Sequence, residues 1–393
     1  IFVATLLITF TIFGIGFIAA GFIDGYNVAL NEPYDYTINA TYEHPMTEKR
    51  IEEMAAKSNA AITDLKYIDC LLLGVQNNYK SGERDWGSRI IVSEDNFNAL
   101  SDMAISVTKG SYTVYYDSSM RYKLNAFSAD SSLFYNPTTE QEFTLTQNEP
   151  ICRDGLFNTR SVFSSFLILD NEDYHTIAAT LANEYKAVSY MVNVENWQDT
   201  TDFQNNILQA VISDNDGVIF TNWHNSATFA KTGSQAEYLP FEGNETKIAR
   251  LWPLYPLSKL SSTTTQFEAF ATYLMLMLFI AIVAFVSAVM VIGLKLISTI
   301  WDDTEVYNDL RRLGMKRKKI KGLISKQMLF VYFIPTVLGC IIGAFTTYRI
   351  MLVSDVTYIG KTMQLVGCVC CLVVIIQIAI FFILRSRVMR NYV

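Results

Sequence analysis

Four stretches of this chain are nearly free of charge: Ile1 to Ile23, Ala269 to Leu294, Met328 to Tyr348 and Leu365 to Leu384. Each is about as long as a helix must be to cross a ~30 Å hydrocarbon layer at ~1.5 Å per residue. Lipid offers the backbone no hydrogen-bond partners, so a run of this kind must close its own bonds as a helix. Buried helices of soluble domains are shorter and do not recur four times. The chain is 51% apolar with a mean hydropathy of +0.21, which fits four spans better than a soluble core.

Charge then orients the spans. From Asp24 to Lys259 there are 32 acidic and 17 basic residues, whereas the rest of the chain carries 6 acids and 14 bases. Those bases cluster at Lys295 to Lys326 and at Arg385, Arg387 and Arg390. An excess of Lys and Arg beside a span marks the cytoplasmic side. The predicted layout is a span over 1–23, an extracytoplasmic domain over 24–265 and a span over 266–296. A cytoplasmic elbow over 297–327 and a span over 328–348 come next. A short outer loop over 349–364, a span over 365–385 and a cytoplasmic tail over 386–393 complete it. The first run starts at Ile1 with no initiator Met and no basic n-region, so it is not read as a signal peptide. A fragment of a longer or processed polypeptide is expected.

The densest basic segment is LRRLGMKRKKIKGLISKQ, residues 310–327, with eight basic side chains in eighteen positions. Its plainest reading is a topogenic signal. The pattern predicts more. Asp302, Asp303 and Glu305 fall in a first turn, Arg311 and Arg312 in a last turn, and Gly314 just beyond, which suits the helix dipole and a left-handed cap. A second helix is predicted after Gly314, running into the span at Met328. The result is a helical elbow with Leu310, Leu313 and Met315 as apolar knobs among bases, a shape suited to a groove on a cytoplasmic partner. No aromatic residue is interleaved with the bases, which argues against nucleic acid.

Residues 24–265 are enough for a core of their own. EKRIEEMAAKSN reads as a helix, and TDLKYIDCLLLGV and SYTVYY read as strands. IIVSEDNFNAL (90–100) and LILDNEDYHTI (167–177) echo each other as strand, cap, acids, aromatic and helix, with Ser93 and Asp170 as amino-terminal caps. The predicted fold class is therefore a polytopic α-helical membrane protein of four spans with a large α+β extracytoplasmic domain.

Chemistry is hard to assemble there. His44, His175 and His224 lie far apart, and neither a His-Glu-x-x-His nor a Gly-x-Ser-x-Gly arrangement occurs, so no metal or catalytic site is predicted. The acid excess predicts steering of cationic ligands. Cys70 and Cys152 are the candidates for a disulfide, and Cys340, Cys368, Cys370 and Cys371 read as small packing residues within spans. The GKT at 360–362 lacks the glycine a P-loop needs at position 355, which is Asp355. The chain is thus read as a non-enzyme, and any ATP hydrolysis belongs to another chain.

Residues 294–345 resemble the carboxy-terminal core of FtsX-like ABC-transporter permeases, most closely the bacitracin-exporter (BceB-type) branch. The likeness rests on Lys295, Tyr307, Leu310, Arg311, Gly314, Met315, Ser325, Lys326, Gln327, Phe333, Ile334 and Pro335 in that order. The span, outer domain, three spans layout extends it to the whole chain. GAFTTY stands where members of the branch often carry a His-x-x-Phe-Ala ending. A complete permease of the branch has ten spans, so the resemblance implies that this chain is the carboxy-terminal segment. It also implies a cytoplasmic ABC ATPase, acting as a dimer and carrying ATP and Mg, docked at Tyr307, Leu310, Arg311, Arg312, Leu313, Gly314, Met315 and Lys316. Further implications are a bacterial cell membrane, a membrane sensor histidine kinase as partner, and a cationic peptide antibiotic or lipid-linked wall precursor as ligand. A macrolide-exporter (MacB-like) permease for lipoproteins or macrolides, a division-type FtsX regulator of wall hydrolases and a sensor receptor without pump activity are the alternatives.

Overall fold

The computed structural model describes residues 1–79, 82–117, 131–158, 161, 163, 165–354, 356 and 358–391. In chain order, α1 (Phe2–Leu30) is followed by β1 (Tyr36–Thr41), α2 (Glu48–Lys57), β2 (Ile62–Asn78), β3 (Arg84–Ser93) and α3 (Glu94–Ser101). Next come β4 (Ser111–Tyr116), β5 (Ser131–Tyr135), β6 (Glu142–Gln147), β7 (Ile151–Cys152), β8 (Ser165–Leu169) and α4 (Asn171–Thr180). They are followed by β9 (Lys186–Val194), α5 (Thr201–Asp214), β10 (Val218–Phe220), α6 (Ser226–Thr232), β11 (Tyr238–Pro240), α7 (Glu245–Leu251) and β12 (Leu257–Ser258). The chain closes with α8 (Lys259–Asp302), α9 (Thr304–Arg312), α10 (Arg317–Val353) and α11 (Ile359–Asn391). It divides into two units, Ile1–Val28 together with Thr264–Val393, and Ala29–Thr263.

In the first unit α1, α8, α10 and α11 are each long and apolar enough to cross a membrane. Burial is inverted relative to a soluble bundle. Phe279, Phe330 and Phe345 are 66%, 62% and 62% exposed, while Thr336 and Gln377 are fully buried. That pattern suits a solvent of acyl chains. The helices outrun the charge-free stretches. α1 continues past Ile23 because its polar residues find partners: Asp24 Oδ1 accepts the Tyr358 N–H at 3.3 Å, and Lys361 Nζ donates to Asn27 Oδ1 at 2.8 Å.

α1 packs on α10 through two glycines four residues apart. A Cβ on Gly339 would lie 2.7 Å from Ile8 Cγ2, and one on Gly343 would lie 2.9 Å from Ile12 Cβ. Thr9 Oγ1 donates to the Gly339 carbonyl at 3.4 Å. This is the small-residue spacing that lets membrane helices approach closely. α10 runs unbroken through Pro335, with Thr336 Oγ1 donating to the Tyr332 carbonyl at 3.1 Å.

Neither the Gln377 amide of α11 nor the Tyr332 hydroxyl of α10 has a hydrogen-bond partner among the described residues, although both side chains are fully buried. An unpaired buried polar group costs about 1–3 kcal/mol. Gln377→Leu is therefore expected to raise the melting temperature of the purified chain in detergent. A lower melting temperature would show that the amide has a partner in the folded protein.

The second unit is built around β2. One edge pairs antiparallel with β3; the other pairs first with β9 and then, at Gly74 and Val75, with β5. β3 lies parallel to β8, β8 antiparallel to β4, β4 parallel to β6 and β6 antiparallel to β5. The circuit β2-β3-β8-β4-β6-β5 thus returns to β2 as a closed barrel, and β9, β1 and β12 extend the sheet from β2. Closure removes free strand edges. Aromatics fill the core, with Tyr115 stacked on Phe166 at 4.5 Å and Phe157 edge-on to Phe166 at 5.5 Å.

The two echoing segments are β3–α3 and β8–α4. Ser93 Oγ accepts the Asn96 N–H at 3.2 Å, and Asp170 Oδ1 accepts those of Glu172 and Asp173 at 2.9 and 3.2 Å, so both expected caps are formed. The strands run parallel with Ser93 opposite Leu169. The helix starts are tied together, with Asn171 Oδ1 accepting the Asp95 N–H and Asn171 Nδ2 donating to Glu94 Oε1, both at 3.2 Å.

Where the chain enters and leaves this unit, β1 and β12 pair, with Tyr36 opposite Ser258 and Thr37 opposite Leu257. Lys259 Nζ meets Asp35 Oδ1 at 2.9 Å, with the side chains 11% and 8% exposed. Asp35 Oδ2 also accepts the Val194 N–H at 3.0 Å, and the Lys259 ammonium lies 5.7 Å from the centroid of the Trp197 ring.

The two cysteines of this unit do not pair: Cys70 is buried on β2, Cys152 is exposed on β7, and both are free thiols. Burial pushes the Cys70 thiol up, away from the reactive thiolate. A maleimide is expected to modify Cys152 in the folded protein and to reach Cys70 only on unfolding. Mass mapping that finds Cys70 modified under native conditions would contradict this packing.

Candidate functional site

The elbow is built from the end of α8, the whole of α9 and the first turns of α10. Ile292, Leu296 and Ile300 repeat at helical spacing and are buried, which carries α8 on to Asp302. The acid pattern places Asp302 in the first turn of α9; in the structure it ends α8 instead. Asp303 takes the N-cap position, and Glu305 is the acid of the first turn.

α9 ends as its sequence requires. Gly314 has φ +90°, its N–H donates to Arg311 O at 3.0 Å, and the Met315 N–H donates to Leu310 O at 3.0 Å. These two bonds form a Schellman cap, and a side chain on the middle residue would be strained. Lys316, in extended conformation, is the N-cap residue of α10. The chain thus turns sharply between two helices.

Gln327, one helical arm away, locks that turn. Its Nε2 donates to Asp303 Oδ2 at 2.7 Å and its Oε1 accepts the Tyr307 hydroxyl. Burial, reinforced by Asp303, pushes the Tyr307 phenol up, so it stays protonated and remains the donor. Tyr307 and Met315 pack against the buried core of the four-helix unit. Leu310 is half-buried, whereas Leu313 is 84% exposed and Arg311, Arg312, Gly314 and Lys316 are exposed around it. Of the three expected knobs, Leu313 is the one fully presented, and Met315 turns inward. The Arg312–Asp309 pair at 3.5 Å is exposed and adds little.

This arrangement presents one exposed apolar side chain among exposed bases; it carries no nucleophile with a base beside it. Among the described residues no group of three or more His, Cys, Asp or Glu side chains comes together. Burial lowers the pKa of His224. Gly360, Lys361 and Thr362 form the start of α11, and Asp355 lies outside the described residues.

Compared with known proteins, the chain matches no family model and no curated sequence. The brace from Gln327 to Asp303 and Tyr307 was not read from the sequence, which placed Asp303 only as a first-turn acid. A glutamine at the boundary between a basic segment and an apolar run was the available signal, since an amide there needs partners near the membrane edge.

Proposed function

We propose that this chain is a membrane subunit that takes up the strokes of a cytoplasmic ATPase through its elbow, as FtsX-like ABC-transporter permeases do. One observation supports this reading most. A single exposed leucine, Leu313, stands among exposed bases on a turn fixed by the Gly314 cap and by the bonds from Gln327 to Asp303 and Tyr307. A partner that pushes on Leu313 pushes on α8 and α10 together. Loose loops dissipate movement; this turn is braced at both ends.

In this reading the β-rich unit is extracytoplasmic, ATP and Mg are held by the partner, and the work done is antimicrobial-peptide resistance and sensing at a bacterial cell membrane. The acid excess of residues 24–259 favours cationic ligands by steering. The test is the susceptibility of a sensitive Gram-positive host expressing the permease with its ATPase, over a panel of wall-targeting peptides. Protection from one peptide class is expected, and Leu313→Asp is expected to abolish it at equal expression. Protection unchanged by Leu313→Asp would remove the elbow from the mechanism, and protection from no peptide would remove the resistance reading. In the same cells a membrane-impermeant maleimide is expected to label Cys152, and its failure to do so would reverse the orientation.

A further inference from the structure

In the last turn of α6 the Lys231 ammonium is held by two aromatic rings and a carboxylate. Its Nζ lies 4.6 Å from the centroid of the Tyr135 ring and 5.1 Å from that of Trp86, and it donates to Glu142 Oε1. The two rings meet edge to face, with centroids 6.0 Å apart. Ring faces are electron-rich and attract cations, so this is an ammonium cage closed by one acid.

The sheet builds the cage without help from Lys231. Tyr135 on β5 lies opposite both Glu142 on β6 and Gly74 on β2, and Gly74 lies opposite Ser88 on β3. Residues opposite one another share a face of the sheet, and Trp86 shares it with Ser88, two residues along. Gly74 has no side chain, so the Tyr135 ring can lie across it, with Cδ1 3.3 Å from where a Cβ would stand, and reach Trp86. Tyr135 is buried, which fixes the cage floor.

The helix that carries Lys231 is anchored elsewhere. Ser88 Oγ accepts the Thr228 N–H at 2.9 Å and bonds the Thr228 hydroxyl at 2.8 Å, and Ala227 is fully buried. The Lys231 side chain can therefore leave the cage while α6 stays in place. The Lys231 and Glu142 side chains are 27% and 39% exposed, so the exchange is open to solvent. Exposed cation–π contacts and exposed ion pairs are each weak, which makes the ammonium a displaceable occupant.

We propose that Trp86, Tyr135 and Glu142 form a binding site for a primary ammonium group of a cationic peptide, and that Lys231 fills it as a tethered stand-in until the ligand displaces it. The excess of 32 acids over 17 bases between Asp24 and Lys259 concentrates such ligands around the unit. The proposal rests on the reading above only in taking the ligand to be a cationic peptide, and the site needs no ATPase.

The test is fluorescence anisotropy of a dye-labelled trilysine peptide titrated with the full chain in an uncharged detergent. Lys231→Ala is expected to bind it about tenfold more tightly than the wild type, the worth of one exposed cation–π contact together with one exposed ion pair. Lys231→Arg, which keeps a tethered cation, is expected to match the wild type. In the Lys231→Ala background, Glu142→Gln and Trp86→Leu are each expected to reverse the gain; Glu142 is exposed enough that its replacement leaves the fold intact. Lys109→Ala makes the same charge change at an exposed pair with Glu172 and is expected to leave the affinity unchanged. The Nε-acetylated peptide is expected not to bind. No gain in Lys231→Ala, an equal gain in Lys109→Ala, or a gain kept after Glu142→Gln overturns the proposal. Any of these results beside intact peptide protection in the host overturns the cage alone and leaves the permease reading standing.

Discussion

Lys259→Ala is expected to cost the β-rich unit roughly 3–5 kcal/mol, the loss typical of a buried ion pair deprived of one partner. The magnitude follows from burial. Asp35 and Lys259 are 8% and 11% exposed, so solvent neither screens the pair nor rescues the Asp35 carboxylate left behind. Surface pairs such as Arg312–Asp309 contribute about 0–1 kcal/mol by contrast. The pair also closes the neck of the unit, joining the start of β1 to the residue after β12. Its loss should therefore be felt in the amides of β1 and β12 before those of the barrel. Hydrogen exchange on the full chain checks this, with early exchange at Tyr36–Thr41 expected in the variant. A double variant, Asp35→Leu with Lys259→Met, is expected to recover part of the loss, because two apolar groups leave no charge stranded. A loss below about 1 kcal/mol for Lys259→Ala would show that the pair is hydrated after all.

Gly339→Ala is expected to destabilise the four-helix unit by about 1–3 kcal/mol, and Gly339→Leu by more. The added Cβ would meet Ile8 Cγ2 at 2.7 Å and Ile8 Cβ at 2.8 Å, with the Thr5 carbonyl at 3.2 Å behind them. A β-branched side chain and a backbone oxygen have little freedom to yield. α1 must move away from α10, which also breaks the contact at Gly343. Gly367→Ala in α11 is the control, since nothing lies within 4 Å of its Cβ position. Thermal unfolding in detergent should separate the two, with a clear fall in melting temperature for Gly339→Ala and none for Gly367→Ala. Equal behaviour of the two variants would contradict the packing of α1 on α10.

What could be read from the sequence follows from the range of the interactions involved. The four helices long and apolar enough to cross a membrane are legible because length and apolarity are properties of each segment separately. The caps at Ser93, Asp170 and Gly314 are legible because a cap satisfies backbone groups within a few residues. The spacing Gly339-Cys-Ile-Ile-Gly343 was also readable, as small residues four apart in a span signal close packing. Barrel closure was not, because it depends on Gly74 and Val75 meeting Tyr135 and Phe134, a short pairing between distant segments with no local signature. The same holds for Asp35 with Lys259. At the elbow the cap and the bases were visible, but the brace through Gln327 was not, since only the folded turn brings α10 back to Asp303 and Tyr307. Asp302 shows the converse error: a charge pattern suggested a helix start, and the buried repeat of α8 carried the preceding helix through it.

The measurement that bears most directly on the elbow is photo-crosslinking from position 313. A benzophenone amino acid replaces Leu313 in the full chain expressed in its native membranes, and the adducts are identified by mass spectrometry. The account predicts a dominant adduct with a protein carrying a Walker A nucleotide site, lost when the partner is deleted. Adducts confined to lipid, or to proteins without a nucleotide site, would contradict it.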